Sequence, residues 1–295
     1  MKQKIKEVEV LRTQANHALI LCLVPFVALI LIGAVLGIVL DDRMFFILGI
    51  CAGSVVFIML SAFYYLPKKH RYINFFKSEI VKDCLDQVFD DVKFEPKEFF
   101  DQETIKKAYL VPIGNTYKGD DKITAVYKGV KFSQCDLNIQ NVMSTGDSVT
   151  VEQYFLGKWI ILDFEKKIDT YIQIREKELG GAVKTTIRTP KKAEKIQTES
   201  IEFNKNFSVF ADDGHNAFYI LTPHFMEALL KLKALVSGQI MLAFCQGKLH
   251  IALHNKKNAF EPNMSELKSS AYYNNIMTEI LIITQIIDEL IINLK

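Results

Sequence analysis

Two uninterrupted apolar runs open the chain. From Ala18 to Leu40 there is no charged residue, and a second uncharged run extends from Met44 to Leu66. As a helix each is roughly 35 Å long, enough to cross the hydrocarbon core of a bilayer. Only Asp41, Asp42 and Arg43 separate them. So short a break permits nothing but a reversal, which predicts a transmembrane helical hairpin over residues 18–66 with both ends on one side. Lys2, Lys4, Lys6 and Arg12 precede the hairpin and Lys68, Lys69 and Arg71 follow it, against Arg43 alone in the loop. Basic residues stay on the cytoplasmic side, so both termini are expected there, in a two-span protein of the cell (inner) membrane. Residues 1–17 then form a cytoplasmic N-terminus. Each run carries glycines four apart, Gly33 with Gly37 and Gly49 with Gly53. Such a pair clears one helix face and lets two backbones approach, so these four are the candidate helix-packing residues.

After Leu66 the pattern changes, with Pro67 expected to interrupt the helix ahead of Lys68, Lys69 and Arg71. Residues 67–264 read as one cytoplasmic α+β domain. Ile73, Phe76, Ile80, Cys84 and Val88 recur near helical spacing, and Asp101 is placed to cap a short helix ahead of Thr104. From Ile123 the period becomes two: Ile123–Tyr127, Val130–Phe132, Leu137–Ile139 and Val149–Tyr154 alternate as strands, continued by Trp159–Leu162 and Thr170–Ile174 as an antiparallel meander. Strands are expected at Phe207–Phe210 and Ala217–Leu221, joined by an Asp212–Asn216 turn. A helix starts at Thr222-Pro223, and a hairpin turns about Gln246-Gly247. The fold class is therefore α+β: an N-terminal two-helix hairpin, an antiparallel sheet with packing helices, and a C-terminal helix. A small barrel of pleckstrin-homology type is one form such a sheet takes.

The C-terminal segment, residues 265–295, reads as an amphipathic helix. Ile276, Ile280, Ile283, Ile287 and Leu290 step by four, three, four and three, forming an apolar seam that water does not favour. Either it docks on the chain's own domain or it carries self-association into a homo-oligomer.

Composition narrows the function classes. Among 295 residues, 36 Lys and Arg stand against 34 Asp and Glu, so bulk charge gives no reason to expect a nucleic-acid partner. Five cysteines, an odd number with no C-x-x-C pair, form neither a disulfide framework nor a zinc site and suit a reducing compartment. Local charge is more informative. Lys184, Arg188, Lys191, Lys192 and Lys195 crowd a polar stretch after Gly180-Gly181; with Lys68, Lys69 and Arg71 they are candidates for contact with an anionic membrane surface.

A set of short blocks recurs in one order: Gly119-Asp120-Asp121 with Tyr127–Phe132, Phe155-Leu-Gly157-Lys-Trp-Ile with Asp163-Phe164, Glu202–Val209, Tyr219–Pro223 with Met226-Glu227, and Phe260-Glu261-Pro262. In these blocks, from about Tyr72 to Pro262, the chain resembles the bacterial membrane family catalogued as domain of unknown function 3137. The resemblance implies a membrane-anchored cytoplasmic domain and assigns no catalytic residue, substrate or cofactor.

Common catalytic motifs are missing: no P-loop, no G-x-G-x-x-G after a strand, no H-E-x-x-H and no G-x-S-x-G. No catalytic, cofactor or metal residue is assigned. His250 and His254 fall on one strand face roughly 13 Å apart, too far to share an ion, and read as edge or surface residues. Asp120-Asp121 and Asp212-Asp213 read as turn residues. The chain is thus expected to be a membrane-anchored interaction, sensing or scaffold protein whose partners are the lipid bilayer and another membrane or cytoplasmic protein. The alternative is a membrane-tethered enzyme whose site assembles from distant residues.

Overall fold

The apolar runs become helices that outlast them. In the computed structural model, which describes residues 2–146, 148–163, 170–177, 189–262, 264 and 269–292, helix α1 spans Lys2–Val39 and helix α2 spans Met44–Asp86. The 38 residues of α1 make about 57 Å, well beyond a hydrocarbon core of about 30 Å. The two ends of each helix differ accordingly. Between 18 and 66 large apolar side chains such as Ile20, Val24, Leu31, Ile47 and Ile58 lie exposed, and both helices are long and apolar enough to cross a membrane. Beyond that stretch Val8, Leu11 and Ala15 of α1 are buried, as are Tyr72, Phe76 and Ile80 of α2. There Lys4 Nζ pairs with Glu79 at 2.9 Å and Asp83 at 2.8 Å.

Pro67 does not interrupt α2. Residues Ser61–Tyr65 adopt a π-helical turn, with Leu66 N–H bonded to Ser61 O, and the helix continues through Leu66–Phe75. A proline ring clashes with the carbonyl one turn back, and a wider turn ahead of it makes room without ending the helix.

The chain divides into two compact units, Met1–Asp83 with Glu261–Tyr272 and Cys84–Phe260 with Tyr273–Lys295. The second is built on a nine-stranded antiparallel sheet: β1 (Asp90–Glu95), β2 (Thr116–Tyr127), β3 (Val130–Thr145), β4 (Ser148–Asp163), β5 (Ile172–Glu176), β6 (Glu194–Ile196), β7 (Phe207–Ala211), β8 (Gln239–Cys245) and β9 (Lys248–His254). Its order is β1-β2-β3-β4-β9-β8-β5-β7-β6, so β1 and β6 are the outermost of the described strands. The sheet is open, which corrects the barrel-like expectation. The meander ends at β4, because the β8–β9 hairpin inserts between β4 and β5. The short runs read from alternation around 130–154 are pieces of two 16-residue strands, β3 and β4.

Among the described residues five further helices accompany the sheet: α3 (Gln102–Lys106), α4 (Ile201–Asn206), α5 (Gly214–Ile220), α6 (Pro223–Leu235) and α7 (Ser269–Ile287), the last running on into a π-turn over Asp288–Ile292. Asp101 and Thr222 cap α3 and α6 by accepting from Thr104 N at 2.8 Å and Phe225 N at 3.2 Å. The strand expected at Ala217–Leu221 is instead α5. Asp213 accepts from both His215 N and Asn216 N, so the supposed turn is an N-cap and the alternation behind it winds into helix.

One face of the sheet, with Cys135, Leu137, Ile139, Trp159, Met241, Ala243 and Ala252, forms a core with Phe100, Ile105, Ala108, Leu110 and Val111 from α3 and its flanks. The opposite face, with Phe132, Ile160, Ile251 and Leu242, lies under α6 and α7: Phe225 of α6 meets Phe244 of β8 at 5.9 Å between ring centroids, and Lys128 pairs with Asp288 at 2.8 Å.

Candidate functional site

Three adjacent strands bring together charges that are far apart in sequence. Asp136 on β3 lies opposite Asp120 on β2 and Lys158 on β4. A bulge in β2 between Asp120 and Ile123, with Asp121 in the left-handed region at φ 57°, adds Asp121 to the same spot. Carboxylate oxygens of Asp120, Asp121 and Asp136 then lie within 4.8 Å of one another. Gly157, next to Lys158, is required by space: a Cβ there would stand 2.1 Å from Leu253 O.

Hydrogen bonds and one counter-charge accompany this cluster in the interior. Lys158, only 1% exposed, donates to Glu279 Oε2 at 3.0 Å and to Glu279 O at 3.4 Å, tying β4 to α7. Asp136, 5% exposed, accepts from Ala259 N at 2.6 Å. Asn258 Nδ2 reaches both oxygens of Asp120 at 3.3 Å. Burial pushes the Asp136 carboxyl up to about 6, although Lys158 and the Ala259 N–H pull the other way. Two open hollows flank the cluster. One of about 240 Å³ is lined in part by Lys118, Asp120, Asp136 and Asn138. The other, about 380 Å³, is lined in part by Asn275, Thr278 and Glu279; Lys257 and Asn258 border both. Oxygen donors of this kind suit a hard cation, and a raised carboxyl suits proton transfer; the buried ammonium of Lys158 already supplies a positive charge.

The Asp120-Asp121 pair is therefore part of a strand bulge rather than a turn. His250 is not at an edge or on the surface: it lies buried on the inner strand β9, and its Nδ1 accepts from Trp159 Nε1 at 3.3 Å. His254 shares that face, and its Nδ1 accepts from Leu156 N at 3.1 Å. Gly33 and Gly49 face each other across the helical hairpin. A Cβ on Gly33 would meet Phe45 O at 2.6 Å, and one on Gly49 would meet Leu29 O at 2.7 Å. Gly37 and Gly53 are looser, with nearest approaches of 3.2 Å and 3.1 Å. Lys68 lies over the Tyr64 ring at 3.9 Å and Lys69 over Tyr65 at 6.0 Å, while Arg71 is exposed. Lys191, Lys192 and Lys195 are exposed, Lys195 on β6; Lys184 and Arg188 lie outside the described residues. Ile276, Ile280, Ile283, Ile287 and Leu290 are all buried within the chain.

Asp136, Lys158 and Glu279 were not legible as a cluster. The polar alternation of Gln134, Asp136 and Asn138 looks like a solvent face, and only the run Trp159-Ile-Ile-Leu162, apolar on both faces, signals that β4 is covered on each side.

Residues 153–291 match the family model described as "Protein of unknown function (DUF3137)". The match begins after the Gly119–Phe132 blocks and extends past Pro262 into α7, so it covers a later stretch than the sequence blocks did. No curated protein matches the chain. A solved structure, the crystal structure of the mycobacterial trehalose monomycolate transport factor A (TtfA), is similar at 9% identity and a TM-score of 0.38, over 73% of this chain and 96% of that one.

Proposed function

We propose that this chain is a membrane-anchored interaction or scaffold protein, held in the cell (inner) membrane by α1 and α2 with both termini cytoplasmic, whose open-sheet unit engages another protein. The observation that carries the reading is the contrast along the two helices: exposed apolar side chains from Ile20 to Ile58, then buried apolar residues and the Lys4 ion pairs at the polar ends. Exposed apolar surface of that extent is costly in water and favourable in lipid. The bias of Lys and Arg towards both polar ends supports the orientation. Lys68, Lys69 and Arg71 lie where anionic head groups would meet them.

The Asp120, Asp121 and Asp136 cluster favours a second reading, a membrane-tethered hydrolytic enzyme acting in the adjoining hollows. It ranks lower because Asp120 and Asp136 are bonded to Asn258 and Ala259, and Lys158 is committed to Glu279.

Two measurements test the proposal in intact cells. A cysteine replacing Asp42 should react with an impermeant thiol reagent while a reporter fused after Lys295 stays cytoplasmic; the reverse pattern overturns the orientation. A photo-crosslinking residue at the exposed Tyr219 or Val149 should give discrete protein adducts, and their absence from both sites would favour the enzyme.

A further inference from the structure

Outside the buried cluster, three short helices enclose a groove of about 600 Å³. Its floor is apolar: Leu221 and Met226 are buried there, and Leu230 of α6 and Pro223 extend it. Phe218 of α5 forms a wall and is 47% exposed, a large apolar side chain left open beside that floor.

Among the described residues the rim has one sign of charge: Glu199, Glu202 and Glu227 line the groove, and no described Lys, Arg or His does. Among the described residues none of the three carboxylates takes part in an ion pair. Glu202 lies in the first turn of α4, where the helix dipole accommodates it; Glu199 precedes that helix and Glu227 faces the groove from the second turn of α6. Three uncompensated negative charges around an apolar floor disfavour an acidic lipid or a nucleic acid and leave a purely apolar ligand next to unmatched carboxylates.

We propose that this groove is the docking site for a basic amphipathic helix of another protein, whose apolar residues enter between Phe218, Leu221 and Met226 while its Lys or Arg side chains meet Glu199, Glu202 and Glu227. A helix presents apolar and basic positions three and four residues apart, so one face supplies both chemistries, as in helix-in-groove recognition. The proposal deepens the interaction reading by naming the partner's chemistry, and its test is independent of the anchor because it reads the groove alone.

The experiment uses the full chain in nanodiscs of zwitterionic lipid and a fluorescent synthetic helix of leucine and lysine, with a leucine–glutamate helix as the counterpart. Fluorescence anisotropy should show binding of the basic helix only, weakening as salt rises. Glu202→Lys with Glu227→Lys should weaken it at least tenfold, and Phe218→Ser, which keeps every charge, should also weaken it. All three positions are exposed, so unchanged circular dichroism is expected to establish folding. Glu103→Lys with Glu152→Lys, acidic positions outside the groove, should leave binding within twofold. Equal binding by wild type and the Glu202/Glu227 variant overturns the proposal. So does equal weakening by the Glu103/Glu152 control, or full competition by spermidine, which would reduce the site to a cation attractor.

Discussion

The indole N–H of Trp159 donates to Nδ1 of His250 at 3.3 Å in the interior of the sheet unit. Accepting that bond requires an unprotonated Nδ1, so the pair is compatible with a neutral imidazole. Burial, with a smaller contribution from Lys248, holds His250 down to about 4. On the opposite face of the same sheet, Asp136 is displaced upward to about 6.

These two groups oppose each other in pH-dependent stability. His250 titrates near 6.5 when unfolded and about 4 when folded, so its contribution is complete above about 6.5 and is lost as pH falls towards 4. Asp136 moves from 3.8 to about 6, so the folded state holds a proton that the unfolded chain releases, and stability is lost as pH rises through that window. Asp136→Asn should therefore leave a chain that weakens on acidification from 6.5 to 4, and His250→Gln one that strengthens, each by up to about 3 kcal/mol. Denaturation midpoints across the window check this; curves parallel to wild type for both variants would refute it.

Lys158→Met removes the ammonium between Asp136 and Glu279. Leaving buried carboxylates without their counter-charge should cost about 3–5 kcal/mol. Adding Asp136→Asn should recover part of that loss, because the two side chains share one electrostatic site. Strict additivity in a double-mutant cycle would show that they do not interact.

In the helical hairpin, Gly33→Ile and Gly49→Ile should be the damaging changes, since an added Cβ meets backbone oxygen at 2.6 Å and 2.7 Å. Gly37→Ala, with 3.2 Å to its nearest neighbour, should be milder. Disulfide cross-linking between cysteines placed on α1 and α2 reads the separation. If all three variants cross-link as wild type does, close packing is not what these glycines provide.

Ile283 is fully buried, and Leu281, two residues away on α7, is half exposed. Ile283→Asp should destabilise the sheet unit by several kcal/mol, whereas Leu281→Asp should be nearly neutral. With the seam docked in cis, light scattering of the full chain in detergent should give one mass for wild type and the Leu281 variant. A larger mass for wild type, abolished by Leu281→Asp, would instead assign α7 to self-association.

Several features of this protein were readable from order along the chain alone. The apolar helices follow from run length, the caps at Asp101 and Thr222 from residue type at one position, and the β8–β9 hairpin from alternation around Gln246-Gly247, because each depends on neighbours within a few residues. Where local signals competed, the reading failed: Pro67 was absorbed by a π-turn, and Ala217–Ile220 became helix once Asp213 capped it. Tertiary structure alone decided that β8 and β9 enter between β4 and β5, since strand pairing carries no address in the sequence. It also decided that α7 covers the face bearing Asp136 and Lys158. A polar alternation means a wet face only if nothing packs on it, and a helix more than 120 residues away in sequence supplies the Glu279 that makes this one dry.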